Sequence, residues 1–206
     1  VPEKRSARSR RKRPSRYHHG DLRRALVEEA LRTIQSDGVS GLTLRGVGHT
    51  LGVSRTALYR HFADKAALLS EVAREGFRAL RLETVEAWEQ GGRGWAGFDA
   101  MGAAYVRFAV ANPSHYRVMF GGFVVDSSNA ELDREGAGAF QALVDAIVWL
   151  QQEGLMRPDD PVLLARSIWA LVHGVAMLII DGLLGEADPD TFARFAIARV
   201  RTGTEL

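Results

Sequence analysis

A chain of 206 residues, 46% hydrophobic and 25% charged, has the composition of an ordinary soluble globular protein and can bury a core in one large or two small domains. It has no cysteine, which excludes disulfides, zinc–thiolate sites and cysteine nucleophiles. The net charge of +2 hides a segregation: residues 1–65 carry 15 Lys and Arg against 6 Asp and Glu, and the rest carry 12 against 19, so a polyanion is expected at one end only.

Residues 1–16, VPEKRSARSRRKRPSR, hold eight basic side chains and almost nothing apolar. They are expected to be disordered when free. Arg8, Arg10, Arg11, Lys12, Arg13 and Arg16 would then form a basic arm that follows phosphates or enters a minor groove. No apolar segment follows the charges, so a secretory signal is not expected. His18 and His19 are adjacent without cysteine or a carboxylate pattern around them, and neither a metal site nor a cofactor is expected.

A helix is expected from Asp21 to about Gln35, with Leu22, Leu26, Val27, Ala30, Leu31 and Ile34 inward and Asp37-Gly38 as its stop. Thr43 caps the next helix, whose apolar face is Leu44, Val47 and Leu51 before Gly52. Gly46 and Gly48 lie inside it, each at a cost of about 0.5–1 kcal/mol relative to alanine. A short third helix has Val53, Ala57, Leu58 and Phe62 on one face and Arg55, Thr56, Tyr59 and Arg60 on the other. So short a helix needs tertiary support, which leaves its polar, cationic face free. A helix-turn-helix presents its second helix to the DNA major groove in this way.

Asp64 caps a long helix from Lys65 to about Gln90, and GGRGWAG at 91–97 is the clearest break in the chain. Further helices are expected at Phe98–Ala111, from Pro113 through PSHYRVMF, at Ala130–Gln152, at Pro161–Leu184 and at Asp188–Arg201. No run alternates with period two, so the fold is expected to be all-α. The most apolar run, Ser167–Ile180, is flanked by Arg166 and Asp181 and is judged too short to span a bilayer, which predicts a cytoplasmic protein with no membrane partner.

The segment LGVSRTALYRHFADKAALL, with YHHGDLRRALVEEALRTIQSDGVSGLTLR before it, resembles the TetR family of bacterial transcriptional repressors over roughly residues 17–80. The resemblance implies a three-helix DNA-binding domain at 17–80, preceded by the arm and followed by a helical effector-binding and dimerisation domain at 81–206. Its candidate DNA-binding residues are Thr43, Arg45, Ser54, Arg55, Thr56, Tyr59, Arg60, His61 and Lys65. Arg55, Thr56 and Arg60 are expected at base edges or adjacent phosphates, with Thr43, Tyr59, His61 and Lys65 on the backbone.

In the second half, SIWALVHGVAMLIIDGLL carries Trp169, His173 and Gly174 as W-x-x-x-H-G. It resembles the WHG-type effector domain of one TetR branch, as does NPSHYRVMFGG at 112–122. Trp169 and His173 lie one helical turn apart, so they face either one cavity or one patch of core. Tyr105, Tyr116 and Phe120 join them as candidates for an apolar effector pocket. The last two helices resemble the family's dimerisation pair, through Leu171, Val175, Leu178 and Ile179 on one and Phe192, Phe195, Ala196 and Arg199 on the other.

The expected function is a ligand-responsive repressor that binds a palindromic operator in double-stranded DNA as a homodimer and is released by a small apolar effector. The alternatives are an activator or a ligand-independent DNA-binding protein of the same fold. An enzyme is not expected, because the chain has no Gly-rich phosphate loop, G-x-S-x-G elbow or H-E-x-x-H.

Overall fold

The computed structural model describes residues 19–123, 129–185 and 188–204; the basic arm lies outside them. Among the described residues the regular structure is helical throughout: α1 His19–Gly41, α2 Leu44–Thr50, α3 Arg55–His61, α4 Lys65–Gln90, α5 Gly94–Ala111, α6 Pro113–Phe120, α7 Ala130–Gln152, α8 Pro161–Ile180 and α9 Pro189–Thr204.

Side-chain oxygens start most of these helices. Thr43, Ser54 and Asp64 accept the amide of the residue three positions on, at α2, α3 and α4. Asn129 and Asp160 do the same work at α7 and α8. Each satisfies amides that the first helical turn leaves without a partner.

Two buried apolar clusters share α4. One gathers Leu26, Val27 and Ile34 of α1, Leu44 and Val47 of α2, Leu58 of α3, Phe62, and Leu68, Leu69 and Val72 of α4. Val118 of α6 and Leu132 of α7 also belong to it. The second runs from Leu80 and Trp88 of α4 through α5, α7, α8 and α9. A single helix thus packs on α1 at one end and on α5, α6 and α7 along the rest.

Several bounds differ from expectation. α1 continues to Gly41 across a break at Gly38 (φ 72°), because a short turn resumes beyond the left-handed residue. α5 begins at Gly94. The 91–97 stretch is a tight hairpin: a Cβ on Gly91 would sit 2.5 Å from Gly97 Cα, and one on Gly97 would sit 2.6 Å from the Trp88 carbonyl oxygen. Its glycines let α4 and α5 cross at backbone contact. Gly48 has a similar use, since a Cβ there would lie 2.9 Å from a Leu58 methyl; it lets α3 pack closely on α2.

α8 stops at Ile180, four residues early, as Gly182 turns left-handed (φ 71°), and α9 runs on to Thr204. At 20 residues α8 is long and apolar enough to cross a membrane by length and composition, contrary to the expectation of a run too short to span. It packs on α5, α7 and α9 and buries Ala165, Ile168, Val172, Val175 and Ala176, so one face of it lies in the core. The expected dimerisation stripe also splits: Val175 and Ala196 are buried within the single chain, whereas Leu178 and Phe195 are 41% and 60% exposed. On α8 apolar residues occupy most of the circumference, so periodicity does not pick out a single face there.

Candidate DNA-facing surface and effector cavity

Leu58 and Phe62, both 2% exposed, anchor α3, while Arg55, Thr56, Tyr59 and Arg60 face outward. The Arg55 guanidinium lies 5.7 Å from the Tyr59 ring centroid, an i,i+4 stacking that narrows the arginine's freedom. Thr43 and Ser54 are exposed and spend an oxygen lone pair on their caps, which leaves each hydroxyl proton available to a phosphate. Arg45 is exposed on α2.

His61 and Lys65 are half-buried and turned partly toward the protein. Lys65 Nζ donates to the Val39 carbonyl at 2.7 Å, just past the break at Gly38. That tie uses one of its three N–H groups. The nine residues therefore do not form one uniform surface: seven are exposed, and these two are partly engaged inside.

Three residues not singled out by sequence reading, Arg23, Glu71 and Arg74, position this surface. Arg23 of α1 reaches Glu71 of α4, with Nη2 3.0 Å from Oε2 and Nε donating to Oε1 at 3.3 Å. Its Nη1 donates to the His61 carbonyl at the end of α3 (3.3 Å), and its guanidinium lies 4.7 Å from the Phe62 ring centroid. Arg74 holds the same carboxylate through Nη2 at 2.7 Å and Nε at 2.9 Å. These bonds, Arg74 foremost, outweigh burial and hold the Glu71 pKa at about 2. One carboxylate so ties α1, α3 and α4 together.

A depressed carboxylate pKa contributes stability above its unfolded value that is lost as pH falls through the folded one. Glu71→Gln should therefore lower unfolding free energy at pH 7 by about 2–3 kcal/mol, less than the roughly 3–5 kcal/mol of a fully buried pair because the Arg23 side chain is half exposed. The difference from the parent chain should shrink as pH falls from about 4.5 to 2, the window set by the ordinary and the depressed value. Urea titrations of both proteins across that range check it; a difference independent of pH would contradict the assignment.

The second cluster encloses a cavity of about 280 Å³. α4 contributes Phe77, Leu80 and Thr84, α5 Phe98, Met101 and Tyr105, α7 Phe140 and Leu143, and α8 Ile168 and Trp169, with Phe120 of α6 also in the wall. No residue in that lining is charged. Trp169 is 36% exposed, so it stands at the rim.

All five expected pocket residues meet here. Trp169 Nε1 donates to the Tyr105 hydroxyl at 3.0 Å, the Tyr105 and Tyr116 hydroxyls are 2.9 Å apart, and the Tyr116 oxygen is 2.7 Å from His173 Nδ1. Tyr105 itself is 3.3 Å from that nitrogen. Phe120 packs on Tyr116 and His173 with ring centroids at 4.8 Å in each case. His173 thus pairs with two tyrosine hydroxyls through Nδ1. Burial raises the Tyr105 pKa to about 12, raises Tyr116 and lowers His173, so the network is neutral. Tyr105, Phe120 and Trp169 line the cavity, while Tyr116 and His173 stand behind them, against a second hollow bounded by Ile34 and Val39 of α1.

Comparison with known proteins bears on both regions. Residues 26–72 match the model described as "Bacterial regulatory proteins, tetR family", and residues 98–200 match "Tetracyclin repressor-like, C-terminal domain". An uncharacterised HTH-type transcriptional regulator of Mycobacterium tuberculosis is 26% identical, covering 89% of this chain and 81% of that protein. The HTH-type transcriptional regulator BetI of Agrobacterium fabrum is also 26% identical, covering 74% of each chain. The solved structure of a protein of unknown function from Rhodococcus sp. RHA1 superposes with a TM-score of 0.82 at 32% identity, covering 93% of this chain and 100% of that one. The chain belongs to the TetR family of bacterial transcriptional regulators, DNA-binding proteins that are typically ligand-responsive repressors.

Proposed function

We propose that this chain is a homodimeric repressor that grips a palindromic operator through α3 and releases it when a small, apolar molecule enters the cavity beside Trp169. The observation that carries this reading is the division of labour along α4. Its first turns pack behind an exposed cationic recognition surface, and its later turns wall an uncharged aromatic cavity. In this reading residues 17–80 form the DNA-binding domain and 81–206 the effector and dimerisation domain, of the WHG type through Trp169, His173 and Gly174. The site of action is the bacterial cytoplasm.

An effector acts only through its differential affinity for two states of the dimer. It must bind the DNA-incompetent state better, and by linkage operator DNA must weaken effector binding by the same factor, about 5–150-fold for a coupling of about 1–3 kcal/mol. Trp169→Ala should blunt release while leaving operator affinity nearly intact. Titration of effector into the free dimer and into the operator complex tests the reading; identical affinities would end it.

The basic arm at 1–16 extends the contact along phosphates in this account. Deleting it should reduce the slope of log affinity against log salt by roughly 0.9 for each phosphate that the arm neutralises. Equal slopes with and without the arm would remove it from the interface.

A further inference from the structure

The cavity's hydrogen-bond inventory specifies more than an apolar occupant. Its polar lining side chains are Thr84, Tyr105 and Trp169. The indole N–H is committed to the Tyr105 oxygen, and the Thr84 hydroxyl donates to the Leu80 carbonyl at 2.8 Å. Tyr116 is 0% exposed, so its hydroxyl proton must be accepted by Tyr105 or by His173 Nδ1, the partners within reach.

If His173 carried its proton on Nδ1, that proton would go to the Tyr116 oxygen and the Tyr116 proton to Tyr105. The Tyr105 proton would then point into an uncharged cavity with nothing to accept it, a costly orphan. With Nδ1 bare, both tyrosine protons are satisfied inside the triangle. The resting cavity therefore offers spare oxygen lone pairs on Tyr105 and Thr84 and no free donor.

Size sets the other limit. A dry apolar cavity of about 150 Å³ accepts benzene, and this one, at about 280 Å³, is nearly twice that. Phe77, Phe98, Phe120 and Phe140 supply ring surfaces around it. No lining cation is present to compensate a carboxylate or phosphate, whose burial without a partner is strongly unfavourable.

We infer that the cavity selects an uncharged molecule of about two fused rings carrying one hydroxyl, which donates to Tyr105 at the Trp169 rim. This rests on the cavity being the effector site and names the class of molecule that fills it.

The test is calorimetric titration of the full chain, without DNA, with 2-naphthol, naphthalene and 2-naphthoate. Binding of 2-naphthol about five- to tenfold tighter than naphthalene, with no binding of 2-naphthoate, is expected from one neutral hydrogen bond. Tyr105→Phe should erase the naphthol advantage, and Leu143→Trp, which fills the cavity, should abolish binding of both neutral probes. Equal affinities for naphthol and naphthalene, tighter binding of naphthoate, or undiminished binding to Leu143→Trp would overturn the inference. Adding 2-naphthol to the protein–operator complex then separates the two claims. Selective binding without release would retain the ligand class and sink the effector reading; release by 2-naphthoate with no naphthol binding would do the reverse.

Discussion

An aspartate in place of Leu178 is expected to split the proposed dimer and to lower operator affinity by about a hundredfold or more, given the 10³–10⁷ span between specific and non-specific binding. Leu178 is 41% exposed in the single chain, so a charge there costs the monomer little. On α8 it continues an outward line through Leu163, Ser167, Ala170 and Gly174, with large residues at the ends and small ones between. A Cβ added at Gly174 meets nothing within 4 Å, so this line is open to a partner helix. Phe195 on α9, 60% exposed, adds a second apolar anchor. A buried aspartate facing its own copy across a two-fold axis would be repelled and desolvated at once. Assembly and operator binding should then fail together, because a single α3 reaches too few bases. Sedimentation at micromolar concentration, paired with an operator titration, checks both; an intact dimer with normal operator affinity would refute the interface.

Arg55→Ala is expected to weaken binding to the preferred operator by about 1–3 kcal/mol while barely changing affinity for random duplex, provided the guanidinium reads a guanine. Arg55 opens α3 and is exposed, with its guanidinium positioned over Tyr59. A preorganised planar fork loses little freedom on docking to a base edge. Parallel titrations on operator and scrambled DNA separate the roles, and equal losses on both would reassign Arg55 to a phosphate.

Two helix starts were legible from the side chains that cap them, while Ser54, which caps α3 and leaves Val53 outside it, gave no such signal. Thr43 and Asp64 announce α2 and α4 through chemistry local to one turn. Ends were read less well: α8 stops four residues before Leu184, since nothing but the left-handed turn at Gly182 marks its close. Trp169 and His173 could be paired from their spacing on one helix. Phe77, Phe98, Phe140 and Leu143 carry no such signal, because cavity wall and solid core follow the same apolar periodicity. Arg23 and Glu71 lie 48 residues apart, and no local pattern signals a partnership made only by the fold.

Selection of duplexes from a random pool by the full chain tests the central claim most directly. Two α3 helices on a two-fold dimer should enrich an inverted repeat with half-sites about 10 bp apart, centre to centre. That enrichment should vanish for the Arg55→Ala, Arg60→Ala double variant. An unrepeated motif, or one that survives the double substitution, would contradict the account.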